Sequence, residues 1–410
     1  MFDFLKDTNK RKLFIFNYCV FMINGLLTLS VGSLLPFIRS ARGIGYGFAG
    51  LIVSLHSVGN LVACFVAGAL PAVIGKKKNI LFFDLFFALS YLFIIFGKNP
   101  FWLAAAFFLT GIARGSSSNF CNTEINSLAP GKAWIINGLH AMFSVGAFAF
   151  PIFLTILTAN NVDNWIIACY VMVGMGILSW ILYLRMPIEN DKVEKVEKGK
   201  GGLGFFAEPI FYLCTGTLFF YLCAEQGVIG WLITYFEDTG LLNASLSQLM
   251  ASVLWIMILA GRLLTATLST KIKKENLLVI MGLGIVFFYF LLINSTTTFW
   301  IVAGIMGFGF SMAGIYPTTV SFSGGIIEKF PMAWSYILTI ASLGSIIMPS
   351  IIGKIADKKG IGPGMASVAV VVLIDLVSII GLVIYCKKKG EKVSLSRDTF
   401  SPFWKDTIKT

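Results

Sequence analysis

Twelve apolar stretches, each long enough to cross a lipid bilayer as a helix, fill almost the whole chain. They lie at 11–38, 46–73, 79–97, 100–128, 132–158, 162–186, 206–236, 243–268, 275–294, 297–327, 331–356 and 362–386. A hydrocarbon layer about 30 Å thick takes roughly 20 apolar residues of helix to cross. Backbone polar groups in lipid must find partners within the segment, which leaves packed helices as the fold. The sequence therefore predicts an all-α membrane protein with twelve transmembrane helices, and excludes a soluble enzyme with an ordinary polar surface. The first stretch is too long for a signal peptide and lacks a small-residue cleavage site, so it is expected to stay as a span.

The charge distribution gives the topology. A net charge of +12 in a soluble protein would suggest nucleic acid, but here only 13% of residues are charged. Most Lys and Arg fall in the N-terminal segment, in loops after even-numbered spans such as Lys76–Lys78 and Lys271–Lys274, in the segment after span six, and in the C-terminal tail. By the positive-inside rule this asymmetry puts both termini in the cytoplasm of a multi-pass cell-membrane protein. The basic excess then reads as a topology signal with some attraction to lipid headgroups, and no nucleic-acid partner is expected. The seven cysteines are scattered without a CxxC pair and read as small buried apolar residues. No cofactor or metal is implied.

Between spans six and seven the chain changes character. Residues 188–204 (IENDKVEKVEKGKGGLG) are charged, Gly-rich and poor in large apolar side chains, and read as a cytoplasmic linker. The expected organisation is an N-terminal bundle over 1–187, this linker, a C-terminal bundle over 205–386 and a basic cytoplasmic tail over 387–410. A shift of 198 residues superimposes Gly146 and Pro151 of span five on Gly344 and Pro349 of span eleven. The same shift carries Ser144 onto Ser342, Gly111 onto Gly309 and Gly32 onto Gly230, which points to a duplicated half. Two such halves rocking about a midplane site suggest alternating access, with Gly and Pro positions letting helices bend or close up.

Ionisable and strongly polar side chains inside spans cost several kcal/mol unless they face a cavity or a partner. Glu225 and Gln226 sit near the middle of span seven, with Trp231 about two turns on. A carboxylate and an amide hydrogen-bond hydroxyls, and an indole face packs on the apolar side of a sugar ring. Glu225 is also the candidate for binding and releasing a coupling proton. Arg114 lies mid-way along span four, where it reads either as a ligand for the solute or as a structural partner of a carboxylate. Glu124 is a poor partner, about 15 Å further along the same helix. Asn119, Asn122 and Ser116–Ser118 make that span unusually hydrophilic and predict a cavity wall. In span five Asn137 and His140 share one face. His140 and His56 each read as a proton shuttle or as a satisfied structural histidine, while Asp84 and Asp375 are expected to brace the bundle. Tyr316-Pro317 interrupts span ten, leaving an aromatic hydroxyl beside freed carbonyls that suit a gate or a ligand contact.

Several of these segments carry a family resemblance. SLLPFI (33–38), NGLHAMFSVGAFAFP (137–151), YLCAEQGVIGWLITY (221–235), AGRLL (260–264), IYPTT (315–319) and GSIIMPSIIGKIADKKG (344–360) occur in this order. In them the chain resembles the major facilitator superfamily, and within it the fucose–proton symporter family. The resemblance implies two parallel six-helix halves, alternating access and sugar transport. Several positions depart from the pattern. Gly32 and Ser118 stand where the fucose permease has carboxylates, Glu225 where it has a glutamine, and Ala72 replaces the acid in the loop signature Gly68–Lys77.

The reading of the sequence is a secondary active transporter of a small polar solute, a hexose or deoxyhexose, coupled to protons through Glu225 or to sodium. It is expected to act as a monomer among membrane lipids. The alternative is an exporter of amphiphilic or drug-like compounds or of organic anions. The substrate-binding candidates are Glu225, Gln226, Trp231, Arg114, Asn119, Asn122, Asn137, His140 and Tyr316. No Walker-type phosphate loop, nucleophile elbow or paired acid motif is present, so neither ATP-driven transport nor enzymatic catalysis is expected.

Overall fold

In the computed structural model, residues 6–128, 133–188, 202–269, 271–330 and 332–389 are described. The charged linker falls mainly at 189–201 and the basic tail at 390–410, both outside the described residues. Long helices account for nearly all of the rest. In the first half they are α1 (Thr8–Arg42), α2 (Tyr46–Ala69), a single turn α3 (Pro71–Ile74), α4 (Lys76–Phe96), α5 (Pro100–Leu128), α6 (Ala133–Thr158) and α7 (Trp165–Arg185). In the second they are α8 (Pro209–Asp238), α9 (Ala244–Leu268), α10 (Lys274–Asn294), α11 (Thr298–Met312), α12 (Ile315–Lys329), α13 (Met332–Lys359) and α14 (Ile361–Lys389).

Local chemistry sets the ends. Asp7 caps α1 by accepting from the amides of Asn9 and Lys10 at 2.8 and 3.3 Å, and Gly43, at φ 60°, takes the left-handed conformation that closes it. Asn243 caps α9 by accepting from Leu246 N at 2.9 Å. Pro209 opens α8 at a position where no intrahelical donor is needed.

The tenth span is not one helix. It breaks at Ala313–Gly314 into α11 and α12. In an unbroken helix the carbonyl of Ala313 would accept from residue 317, which is a proline and has no N–H. Eleven spans are apolar and long enough to cross a membrane by composition alone, and α5 is the exception. Arg114, Glu124, four serines and three asparagines dilute its apolar character, and it is housed by packing against α1, α2 and α4.

Helices α1 to α7 pack into one bundle and α8 to α14 into another, joined through α2 with α13, α6 with α9 and α1 with α8. Glycine allows the tightest crossings, and these carry the internal echo into three dimensions. A Cβ on Gly111 of α5 would strike the carbonyl of His56 on α2. A Cβ on Gly309 of α11 would meet the carbonyl of Leu254 on α9 at 2.9 Å. Both members of the second pair lie 198 residues after their counterparts in the first. Gly146 seats α6 on Met22 of α1, and Gly344 seats α13 on Phe219 of α8, in corresponding crossings.

Candidate functional site

The two bundles meet firmly at one end, where the turns α1–α2, α8–α9 and α13–α14 gather. Arg39 Nη1 lies 2.5 Å from Asp238 Oδ2 and stacks over the Tyr46 ring at 3.7 Å. The Tyr46 hydroxyl donates to the same carboxylate oxygen at 2.8 Å. Gly47 N donates to Asp357 Oδ2 at 2.8 Å, and the hydroxyls of Ser54 and Ser350 share a bond of 2.8 Å. Gln248 Nε2 donates to the carbonyl of Ser33 and Ser252 Oγ to that of Phe148, each at 2.9 Å. Among the described residues, every side-chain hydrogen bond or ion pair between the bundles lies in this half of the molecule. The other half, on the side of the chain termini, carries none of these bonds among the described residues.

Two charged groups sit midway along helices of opposite bundles. Glu225, midway along α8, is half-buried, and its Oε1 accepts from the Tyr221 hydroxyl one turn earlier at 2.7 Å. Arg114, midway along α5 in the other bundle, is also half-buried. Its Nε donates to Thr28 Oγ1 at 3.0 Å, and its own carbonyl accepts from Asn24 Nδ2 at 3.3 Å. The two terminal guanidinium nitrogens are not sealed and have no acceptor among the described residues. Arg114 and Glu225 act on each other electrostatically without forming a direct ion pair among the described residues. A partly exposed cation and a partly exposed anion therefore lie within electrostatic range of each other on opposite bundles.

Tyr316, in the first turn of α12, is half-buried, feels both Glu225 and Arg262, and has its ring centroid 6.3 Å from that of Tyr221. His140 is half-buried, edge-on to Phe21 at 5.4 Å and within the field of Arg262. Asn119 Nδ2 donates to the carbonyl of Cys64 at 3.4 Å, tying α5 to α2. Asn122 Nδ2 donates to the carbonyl of Ser118 on its own helix at 2.8 Å. Both asparagines are half-buried, as is Gln226, which makes no side-chain hydrogen bond among the described residues. The side chain of Asn137 lies outside the described residues.

Trp231 does not stand with these groups. It is 0% exposed, its indole N–H donates to the Pro349 carbonyl at 3.1 Å, and its ring sits 6.0 Å from that of Tyr46. Its distance from Glu225 carries it beyond the polar layer and into the closed end. Glu124 turns away from Arg114 to pair with Lys76 at 3.1 Å. His56 is buried and shares a bond with Thr110 at 2.8 Å, joining α2 to α5. Asp84 and Asp375 are buried inside their own bundles.

Sequence reasoning passed over four participants: Arg262, Tyr221, Thr28 and Asn24. Arg262 on α9 is half-buried and has no carboxylate or hydrogen-bond partner among the described residues. The signal was there, since an arginine within an apolar run obeys the same rule that singled out Arg114. Tyr221 and Asn24 stand out only once their partners are known.

The profile of the Major Facilitator Superfamily matches residues 17–349. The chain belongs to the Major Facilitator Superfamily. It is a non-enzymatic transporter of a small-molecule solute and a multi-pass membrane protein. Within the superfamily it is similar to a Protein TsgA homolog of Yersinia pseudotuberculosis, 20% identical over 372 residues that cover 88% of this chain and 93% of that one. A Protein TsgA homolog of Yersinia pestis is likewise 20% identical over 366 residues, covering 87% and 91%. The superfamily fold is shared with the crystal structure of the nucleoside transporter NupG, at a TM-score of 0.71 and 13% identity over 93% of this chain and 100% of that one. It is shared also with a bacterial homolog of the human lysosomal transporter Spinster in an inward-facing, occupied conformation. That likeness has a TM-score of 0.70 and 13% identity over 97% and 99% of the two chains.

Proposed function

We propose that the protein is a secondary active transporter for a small, hydroxyl-rich solute of the hexose or deoxyhexose class, bound between Arg114 and Glu225. The observation that carries this reading is the pair of opposed groups with spare bonding capacity. The terminal nitrogens of Arg114 lack acceptors among the described residues, and Glu225 spends one oxygen on Tyr221. A hydroxyl both accepts and donates, so neighbouring hydroxyls of one ring answer the guanidinium and the carboxylate together. Asn119, Asn122, Gln226 and His140 supply further polar wall, and Tyr316 supplies an aromatic face. The two bundles, 1–187 and 205–386, exchange a closed end for an open one about this site. Glu225 is the coupling candidate, because its charge governs the field felt by Arg114 on the far side.

A second reading has its own support. Arg262 adds a second guanidinium without a partner among the described residues, so Arg114, Arg262 and Glu225 together leave a positive excess. That favours an organic anion, such as a sugar acid, over a neutral ring. The same charge disfavours an apolar drug as cargo.

The test is uptake of labelled hexoses, deoxyhexoses and sugar acids into proteoliposomes, with and without an imposed pH gradient. Saturable uptake of a neutral hexose, lost in Glu225→Gln and Arg114→Gln, is the expected result. Uptake confined to anions, and lost in Arg262→Gln, replaces the first reading by the second. No saturable uptake of either class overturns both.

A further inference from the structure

Apart from the transport cavity, the N-terminal bundle encloses a small void between α1, α4, α5 and α7. Its polar lining is Asn24, Asp84, Ser117 and Ser179, one side chain from each helix. Asp84 and Asn24 are each only 2% exposed. Ser179 Oγ donates to Asp84 Oδ1 at 3.1 Å, and the other oxygen, Oδ2, is buried without a partner.

Asn24 shows the same deficit for a reason that can be traced. Its amide nitrogen donates to the Arg114 carbonyl at 3.3 Å and to Ser118 Oγ at 2.9 Å. A carbonyl only accepts, so the atom facing α5 must be the nitrogen. The carboxamide oxygen, Oδ1, is left buried and unpartnered. The Ser117 hydroxyl shares one bond with the Tyr183 hydroxyl at 2.9 Å and retains further acceptor capacity.

Two orphaned acceptors, one of them a carboxylate, thus belong to the lining of one void. Leaving them unanswered at membrane depth is costly. The void is too tight to admit a water molecule, which removes the usual bridging group. No Lys or Arg pairs with Asp84 among the described residues. The titratable groups that face it are Cys121 of α5 and Tyr183 of α7, while α1 presents Asn24. No cluster of three His, Cys, Asp or Glu exists among the described residues to hold a multivalent metal. One carboxylate among neutral oxygens balances a single positive charge.

We propose that this void is a binding site for a small monovalent cation, Na+ or H+, with Asp84 and Asn24 as its principal ligands. Na+ would take oxygens from all four polar side chains, whereas a proton on Asp84 would turn one acceptor into a donor. Asn24 connects the site to transport. The same side chain that meets the cation holds the backbone of Arg114 and the hydroxyl of Ser118 on the cavity helix. Loading the void therefore sets the position of α5 at the solute site, whatever the solute is.

The experiment measures the Tm of the full-length protein in detergent. It compares Na+, K+ and choline at matched ionic strength, from acid to mildly alkaline pH, in wild type and Asp84→Asn. Asp375→Asn, a buried carboxylate in the other bundle, is the control. A saturable rise of several degrees in Na+ alone, absent in Asp84→Asn and kept in Asp375→Asn, supports the site with sodium as its ion. A rise on acidification that is independent of Na+ and lost in Asp84→Asn supports it with the proton. No cation or pH response in wild type, or the same response in Asp84→Asn, overturns it. Should Asp84→Asn fail to fold, Ser179→Ala replaces it. That variant is expected to raise the half-saturating cation concentration several-fold, and an unchanged value counts against the site.

Discussion

The Asp357 carboxylate at the end of α13 accepts the backbone amide of Gly47 in the first turn of α2 at 2.8 Å, so one bundle caps a helix of the other. The positive end of α2 and this carboxylate attract as any helix N-terminus and acid do. Because the partners belong to different bundles, the cap exists only while this end is shut. Asp357→Ala is expected to weaken the closed end by about 1 kcal/mol, roughly a fivefold shift in population. Spin labels at Ala41 and Lys358, exposed on opposite bundles, report it as growth of a longer distance component. An unchanged distance distribution counts against the latch.

Arg114→Gln keeps a hydrogen-bonding side chain and removes the charge. Charge-assisted bonds contribute about 1.5–3 kcal/mol, so solute affinity should fall about ten- to hundredfold. Folding should survive, because Arg114 forms no ion pair among the described residues. Equilibrium binding and Tm on the same preparation check both halves of the statement.

Trp231→Phe separates gate from ligand. The substitution shrinks the ring that packs 6.0 Å from Tyr46 of the other bundle and removes the indole bond to the Pro349 carbonyl that holds it there, a loss of about 1 kcal/mol at the closed end. Transport rate and the distances between the bundles should change while equilibrium solute affinity stays put. A weakened affinity at constant gate geometry returns Trp231 to the binding site.

Gly146→Val places a branched side chain where even a Cβ would collide with the Met22 carbonyl of α1. Overpacking of this kind costs about 1–3 kcal/mol. Tm should fall by several degrees, and Gly344→Val should mimic it at the crossing with Phe219 in the second bundle. A neutral outcome at either glycine removes the steric basis of that crossing.

The spans were legible because membrane insertion demands long apolar runs, a signal that needs no tertiary knowledge. The break in span ten was legible in part, since Pro317 announces it, although the gap opens four residues back, at the carbonyl that the proline leaves without a donor. Arg114 and Glu225 stood out as charges in apolar surroundings. Trp231 was misassigned because position along a helix gives depth and facing but not whether a second bundle covers that face. Arg262 carried the same signal as Arg114 and was passed over. The cross-bundle latch was invisible, because Gly47 and Asp357 lie hundreds of residues apart and neither looks unusual alone.

The central claim is that one solute bridges Arg114 and Glu225 across the space between the bundles. Proteoliposome counterflow with wild type, Arg114→Gln and Glu225→Gln tests it most directly, with the Tm of each variant measured alongside. The account predicts saturable exchange in wild type and its loss in both variants at near-native Tm. Undiminished exchange in both variants would contradict it.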